Sequence, residues 1–185
     1  INEEIGVRPV RVVSLAPRDT AMKIDAAVMK IEGYASPNWL TFNTDPALDE
    51  PITIAGYPGD AALLDHRHHA LQTALQAGQL PDLKNLPTAL VNEGRINNFI
   101  TDAITSAVEL QYAMVTAPGN SGSPVVNACG EIVGLHHSGG AKAAEIKFNG
   151  AVHARYVVTY LGMVGVTPSC SRLRPVSASS CALAS

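Results

Sequence analysis

A serine enclosed by small residues most restricts how this chain can fold. Residues 117–126 read APGNSGSPVV, so that Ser121 lies between Asn120 and Gly122 and is followed by Pro124 and two valines. Glycines allow the backbone to bend sharply around one hydroxyl, and β-branched valines favour a strand directly after the bend. The stretch therefore predicts a tight turn that presents Ser121 and is anchored by the strand that follows.

The same turn can be interpreted as part of a catalytic site or as a purely structural element. In such a bend the amides of Gly119 and Ser121 could converge on a developing negative charge, an arrangement that stabilises acyl-transfer intermediates. A glycine- and serine-rich turn that simply leads into a strand explains a lone GxSG pattern equally well. The surrounding sequence has to decide between the two.

The overall composition predicts one ordinary domain, or two small lobes that share an interface. The chain has 185 residues, of which 46% are hydrophobic and 16% charged, and its net charge is -3. This balance gives no basic surface for nucleic acid or an anionic membrane, and no apolar run approaches the ~18 residues of a membrane span. The first residues also lack the charge and apolar block of a signal peptide.

The three cysteines do not form a metal-binding pattern. Cys170 and Cys181 flank a short serine-rich loop and could form a disulfide, while Cys129 lies between strand-like runs. Their spacing matches no zinc site, so we predict neither a metal nor a cofactor, and the redox compartment stays open.

Short strands dominate the predicted secondary structure. The helical exceptions are residues 61–80, which Gly78 and Pro81 would end, and residues 155–164; from residue 167 the chain is a Pro/Ser/Ala-rich tail. A mainly β barrel or sandwich follows. Alternating or β-branched runs predict strands at residues 10–15, 26–31, 51–57, 94–100, 108–115, 123–127, 131–137 and 150–153.

From about residue 25 to residue 164 the chain resembles the chymotrypsin-fold (trypsin-like) serine peptidases, in particular their V8-like glutamyl endopeptidase branch. The resemblance implies a double β-barrel with an incomplete first barrel, a helical insert at 61–80 and a C-terminal helix. It divides the chain into a first-barrel remnant, a second barrel and a tail, at residues 1–50, 51–166 and 167–185. The motifs that carry it, in order, are residues 25–30, 54–60, 119–124, 130–136 and 148–152.

The resemblance assigns roles to particular side chains. Ser121 becomes the nucleophile, Asp25 the carboxylate that orients its histidine base, and the amides of Gly119 and Ser121 the oxyanion hole. The alternative for Asp25 is a carboxylate that caps a turn before a strand. Protein or peptide substrates, and a secreted rather than an intracellular protein, are what the resemblance favours.

The histidine of the family lies upstream of its aspartate, yet none of the 24 residues before Asp25 is histidine. We expect an upstream segment or a separate chain to supply it, unless the protein is a degenerate relative. Loss of the base costs about 10⁶-fold in kcat, so this chain alone should be inactive. His66, His68 and His69 could form a metal site or proton relay, although a solvated helix face explains them better.

The residues expected in the specificity pocket disfavour basic substrates. Val115 occupies the position where trypsin-like enzymes carry aspartate, whereas His136 and Thr116 match the V8-like pattern. An imidazole and a hydroxyl can donate to a carboxylate or amide oxygen, which predicts Glu at P1 (the residue on the acyl side of the cleaved bond), with Gln close behind. A core histidine without selectivity is the alternative for His136, and His137 should face the opposite side of the strand.

Three functions remain in view. The first is a serine endopeptidase whose histidine comes from elsewhere. The second is a catalytically inactive peptidase-like binding module that keeps the pocket. The third is a plain β domain in which the turn around Ser121 is structural. An intact nucleophile motif beside a plausible pocket favours the first.

Overall fold

The computed structural model describes residues 8–16, 24–58, 66–79, 88–101, 107–139 and 148–170. Within these ranges the chain is mainly β, as predicted. The elements in chain order are β1 (Val10–Leu15), β2 (Ala27–Ile31), β3 (Pro51–Gly56), α1 (His66–Gln76), β4 (Leu90–Thr101), β5 (Val108–Tyr112), β6 (Pro124–Asn127), β7 (Ile132–Gly139), β8 (Asn149–His153) and α2 (Ala154–Met163).

The last six strands form a closed antiparallel barrel in the order β3-β4-β5-β8-β7-β6. Alternate residues point inward, as the period of a β-strand requires. Closure leaves no unpaired strand edge. The barrel is therefore a complete unit with its own core, which consists of Ile52, Ile54, Ile96, Leu110, Tyr112, Val125, Val133 and Ala151.

The first two strands form a separate antiparallel sheet, in which Val10 pairs with Ile31 and a bulge separates Val12 from Ser14. Five of the six side chains of β1 are exposed. Large apolar residues lie among them, and Leu15 is 68% exposed. Two strands are rarely stable alone in water, so this sheet depends on what it packs against.

Helix α2 joins the two-stranded sheet to the barrel. A second apolar cluster contains Ile24, Val157 and Tyr160 together with Val152 from β8. The Tyr160 hydroxyl also donates to Ser14 Oγ at 2.8 Å. The helix begins after His153, whose Nδ1 accepts from the amide of Arg155 at 3.2 Å. The sheet is thus held by α2 and by apolar residues of β7 and β8 in this shared cluster, and not by a core of its own.

A glycine permits the close approach of strands inside the barrel. A Cβ built on Gly134 in β7 would lie 2.5 Å from Leu110 Cδ1 and 2.8 Å from the carbonyl oxygen of Val152. The second neighbour is backbone, which cannot move aside without disturbing the β7–β8 pairing. Only glycine fits at this position.

Several strands and helices begin or end at residues other than the predicted ones. Strand β4 begins at Leu90 and not at residue 94, and β5 ends at Tyr112 and not at residue 115. The predicted helix at 61–80 is observed as α1, and residues 61–65 and 80 lie outside the described ranges. The C-terminal helix begins one residue earlier than predicted, at Ala154. No helix in the described ranges is both long and apolar enough to cross a membrane.

The suggested disulfide between Cys170 and Cys181 is wrong. Cys170 is a free, exposed thiol, and its backbone is held beside Phe42 by a β-bridge. Cys129, in the exposed turn between β6 and β7, is the cysteine that is disulfide-bonded, to a residue outside the described ranges. The prediction was based on proximity in sequence, which does not determine which thiols pair.

Candidate active site

The predicted tight turn around Ser121 is present. Gly119 and Gly122 flank it with φ angles of 105° and 88°, a region that side-chain-bearing residues rarely adopt. The amide of Ser123 donates to the carbonyl of Asn120 at 3.0 Å, which closes the bend. The amide of Gly122 donates to the carbonyl of His136 at 2.7 Å and ties the turn to β7.

The Ser121 side chain is exposed and held by the backbone. Its hydroxyl donates to the carbonyl oxygen of His137 at 3.3 Å. Within the described ranges the amides of Gly119 and Ser121 donate no hydrogen bond to the protein. The turn thus has one hydroxyl held in place and two amides that make no hydrogen bond within the described ranges.

Beneath the turn, β3 ends on a glycine that the turn needs. Asn120 is almost fully buried, and its Oδ1 has no partner among the described residues. A Cβ on Gly56 would lie 2.7 Å from that oxygen and 2.5 Å from Ser123 Oγ. The turn therefore rests directly on the end of β3, a support that the sequence analysis did not identify. The glycine ending a strand just before Pro58 was the available signal.

Asp25 is exposed and precedes β2. Its carboxylate makes no hydrogen bond or ion pair with any other described residue. The preceding residue, Ile24, packs in the cluster that includes Val152 of β8 and Leu135 of β7. The backbone that carries Asp25 therefore runs over the same two strands, of which β7 also contacts Ser121.

His136 belongs to a buried hydrogen-bonded group on β5, β7 and β8. Its side chain is 2% exposed, and its Nδ1 lies 2.6 Å from the hydroxyl of Tyr112. Burial lowers the pKa of His136 and the neighbouring His137 lowers it further, while the carbonyl of Gly150 opposes both. Burial also raises the pKa of Tyr112, so its hydroxyl keeps its proton. Tyr112 was missed, although it alternates with the core residue Leu110 on β5.

Thr116 is half-buried and hydrogen-bonded within the protein. Its Oγ1 donates to Asn149 Oδ1 at 2.5 Å. Asn149 Nδ2 in turn donates to the carbonyl of Met114 at 2.7 Å. Asn149 precedes Gly150, whose carbonyl accepts from Tyr112 at 3.4 Å, so the hydrogen bonds of Thr116 and those of His136 meet adjacent residues of β8. Val115, by contrast, is 76% exposed.

The two adjacent histidines face opposite sides of β7, as predicted. His137 directs Nε2 toward Glu109 Oε2 at 3.5 Å, whereas His136 contacts Tyr112, a residue of the barrel core. A register irregularity lies between His136 and Ser138. No histidine ring in the described ranges hydrogen-bonds to Ser121, whose contact with His137 is to the backbone.

The metal site or proton relay suggested for His66, His68 and His69 falls partly outside the described residues. His66, His68 and His69 all lie on α1, where the side chain of His69 is exposed and those of the other two lie outside the description. No group of three or more possible metal ligands occurs among the residues that the structure describes.

Comparison with known proteins finds similar curated proteins and solved structures. Among curated proteins, the glutamyl endopeptidase of Staphylococcus epidermidis is 29% identical over 117 residues, which is 63% of this chain and 30% of that protein. The glutamyl endopeptidase of Staphylococcus aureus strain MW2 is 26% identical over 152 residues, which is 82% of this chain and 34% of that protein. The chain thus spans about a third of the length of these relatives.

Solved structures share the fold. The Rv3671c protease of Mycobacterium tuberculosis, in an inactive form, matches with a TM-score of 0.57 at 18% identity, over 85% of this chain and 65% of that chain. With the closed barrel this shows a chymotrypsin-like fold. The family model described as "Trypsin-like peptidase domain" matches residues 3–135. This chain is a member of the trypsin-like peptidase domain family.

Proposed function

We propose that this chain is the nucleophile-bearing part of a serine endopeptidase that cleaves proteins or peptides through a Ser-His-Asp acyl-enzyme mechanism. One observation carries the proposal: Ser121 is exposed on a bent turn beside two amides that donate to nothing else among the described residues. Membership of the trypsin-like peptidase family supports the same reading.

In the proposed mechanism Ser121 Oγ attacks the scissile carbonyl carbon. The carbonyl oxygen gains negative charge and accepts hydrogen bonds from the amides of Gly119 and Ser121. A histidine base takes the serine proton and later gives it to the leaving amine, while Asp25 holds the imidazole in the required tautomer. The exposed carboxylate of Asp25, which lacks a partner among the described residues, suits a histidine that approaches from outside.

We propose that a histidine-bearing upstream segment, as part of a longer protein or as a separate chain, completes the site. Two features support this proposal. The first is the lack of an imidazole at Ser121 in the described ranges. The second is the exposed apolar surface of β1 and β2, which includes Val12, Leu15 and Met29. Residues 1–50 then form part of the first barrel, residues 51–166 the second barrel, and residues 167–185 a tail.

We propose Glu or Gln at P1 as the preferred substrate residue. His136 and Thr116 each keep hydrogen-bonding capacity that Tyr112 and Asn149 do not use, at the second ring nitrogen and at the hydroxyl oxygen, and an apolar P1 side chain would satisfy neither. The names of the staphylococcal relatives support the acidic choice. A secreted location is consistent with the disulfide at Cys129, since disulfides persist in oxidising compartments.

A fluorophosphonate probe tests the proposal, because it reports an activated serine without requiring knowledge of the substrate. The probe is applied to the chain alone, to the chain extended upstream through a histidine-bearing segment, and to the Ser121→Ala variant of each. Labelling of the extended protein that disappears in Ser121→Ala supports the proposal. Serines such as Ser36, which is exposed and bonded to Asn38, should stay unlabelled.

The second candidate is a binding module that keeps the pocket without catalysis. The lack of an imidazole hydrogen-bonded to Ser121 in the described part of the chain is the observation that favours it. An extended protein that folds, includes the upstream histidine and still leaves Ser121 unlabelled would replace the peptidase with this candidate.

A further inference from the structure

We propose that Glu109 is a positioning residue for Ser121. Glu109 holds the side chain of His137, the extra residue of an irregularity in β7, and the carbonyl oxygen of His137 holds the Ser121 hydroxyl. The inference rests on the proposed peptidase function. It adds a side chain on the outer face of the barrel to the groups that determine where Ser121 lies.

Strand pairing leaves the backbone of His137 without a partner on β8. His136 lies opposite Ala151 and Ser138 lies opposite Gly150, so that His137 is the residue between two regular pairs. The extra residue of such a bulge lies outside the ladder of hydrogen bonds, and pairing does not fix its orientation. A contact of its side chain can fix that orientation instead.

The Ser121 hydroxyl is bonded to this unpaired residue. Among the described residues, three hydrogen bonds join the turn to β7. Two use His136, whose carbonyl accepts from the amide of Gly122 at 2.7 Å and whose amide donates to the carbonyl of Ser123 at 2.9 Å. The third runs from Ser121 Oγ to the carbonyl of His137, at 3.3 Å. A shift of the His137 backbone is therefore transmitted directly to the hydroxyl.

Glu109 contacts the ring of His137 from two strands away. Because Glu109 precedes the core residue Leu110, its own side chain lies on the outer face of β5. It reaches across β8, and its Oε2 lies 3.5 Å from His137 Nε2. That nitrogen is buried and makes no hydrogen bond within the described ranges. The carboxylate of Glu109 therefore compensates the burial of the ring nitrogen and restrains the ring.

The backbone of Glu109 belongs to a regular part of the barrel. It pairs with Val152 of β8, which in turn pairs with Leu135 of β7. The side chains of Glu109 and His137 are 39% and 21% exposed, so the contact between them is partly shielded from water. The irregular segment of β7 is thus tied through a side chain to strands whose register is fixed.

Loosening the His137 carbonyl would have two effects of opposite sign on the proposed reaction. Loss of the hydrogen bond would free the Ser121 hydroxyl for a base and return at most roughly fivefold in rate. A displacement of the hydroxyl by about 1 Å from its attacking position can cost about 100-fold. Because the second effect is the larger, the contact with Glu109 should accelerate the reaction.

The first experiment measures peptide hydrolysis by the upstream-extended protein and by its Glu109→Ala variant. We expect kcat to fall about tenfold while KM stays within about twofold, because the change alters the position of Ser121 and not substrate binding. Glu93→Ala is the matched control, since Glu93 is exposed on the adjacent strand β4 and pairs with Thr53. An unchanged or increased kcat in Glu109→Ala, or a loss confined to KM, would overturn the proposal.

Two further variants separate positioning from a general effect on the fold. Glu109→Gln keeps an oxygen acceptor on a side chain of the same length and should retain at least about a third of the wild-type kcat. In a His137→Ala background, Glu109→Ala should lower kcat by less than about twofold, because Glu109 acts through that ring. Full and independent losses in the double variant, or a Glu109→Gln protein as slow as Glu109→Ala, would contradict the proposal. If Glu109→Ala does not fold, Glu109→Thr takes its place, because threonine suits a strand and is too short to reach His137.

The second experiment needs no catalysis. Amide hydrogen exchange in the upstream-extended protein reports on the turn, because the amide of Gly122 is bonded to the residue beside the irregularity. We expect exchange of this amide to become about tenfold faster in Glu109→Ala and to stay unchanged in Glu93→Ala. If no peptide is hydrolysed, the proposed function fails, and exchange alone decides the positioning role. Faster exchange in Glu109→Ala then supports that role, and equal exchange in the two variants contradicts it.

Discussion

The closed barrel and the two-stranded sheet contribute to the proposed site in opposite ways. The barrel has a continuous apolar core, closed strand pairing and the turn that presents Ser121. The sheet has little buried surface and adjoins Asp25, and it is held through α2 and the cluster around Val152. The comparison shows that Ser121 lies on the self-sufficient unit, whereas Asp25 lies on the dependent one.

The largest effect on activity should come from adding the proposed upstream segment beside the two-stranded sheet. Adding a histidine-bearing upstream segment should raise kcat by about 10⁶-fold, since no histidine ring is hydrogen-bonded to Ser121 in the described part of the chain. Peptide hydrolysis by the extended protein and by its histidine-to-alanine variant measures this difference.

Asp25→Asn in the extended protein should lower kcat by about 10⁴-fold in the same hydrolysis assay. Full turnover by the present chain alone would break the comparison.

Equivalent truncations on the two sides should differ strongly in their effect on unfolding. Ile54→Ala removes a fully buried barrel side chain and should cost about 3 kcal/mol of unfolding free energy. Leu15→Ala removes an exposed side chain of the sheet and should change it by less than about 0.5 kcal/mol. Urea unfolding measures both. Similar losses would mean that the sheet is buried against something else in solution.

Two glycine substitutions sharpen the picture of the barrel. Gly134→Ala should cost about 3 kcal/mol, because the new Cβ meets the backbone of Val152. Gly162→Ala on α2 is the control, since nothing lies within 4 Å of its Cβ. That change should stabilise the protein by about 0.5 kcal/mol through helix propensity. Thermal unfolding compares the two, and a tolerated alanine at position 134 would contradict the described packing.

The start of α2, which lies between the two-stranded sheet and the barrel, should make the protein less stable to unfolding at acidic pH. Burial lowers the pKa of His153 to about 4, well under its ordinary value of 6.5. The unfolded chain therefore binds more protons between these values, so stability is complete above about pH 6.5 and declines as pH falls toward 4. We expect a loss of about 2 kcal/mol between about pH 7.5 and pH 5, measured by urea unfolding.

The control for that loss is His153→Asn. Asparagine keeps an acceptor at the start of α2 but does not titrate. Its unfolding free energy should be nearly constant across the same pH window. An unchanged pH dependence in this variant would assign the effect to another group.

The sequence predicted local features better than distant pairings. The bend at Ser121 was predictable because Gly119 and Gly122 permit backbone angles that other residues avoid. The contact between Tyr112 and His136 was not, because it depends on the register of β5, β8 and β7 together. The disulfide of Cys129 escaped prediction for a similar reason, since sequence distance says little about which thiols meet in three dimensions.

The bond from Ser121 to the carbonyl of His137 has a consequence for any activating group. A carbonyl oxygen can anchor a hydroxyl but cannot carry its proton away. In the proposed mechanism this bond holds the Ser121 hydroxyl in place without activating it. An incoming imidazole must replace this hydrogen bond to the His137 carbonyl, at a cost of about 1 kcal/mol. That cost lowers the fraction of molecules ready to react roughly fivefold.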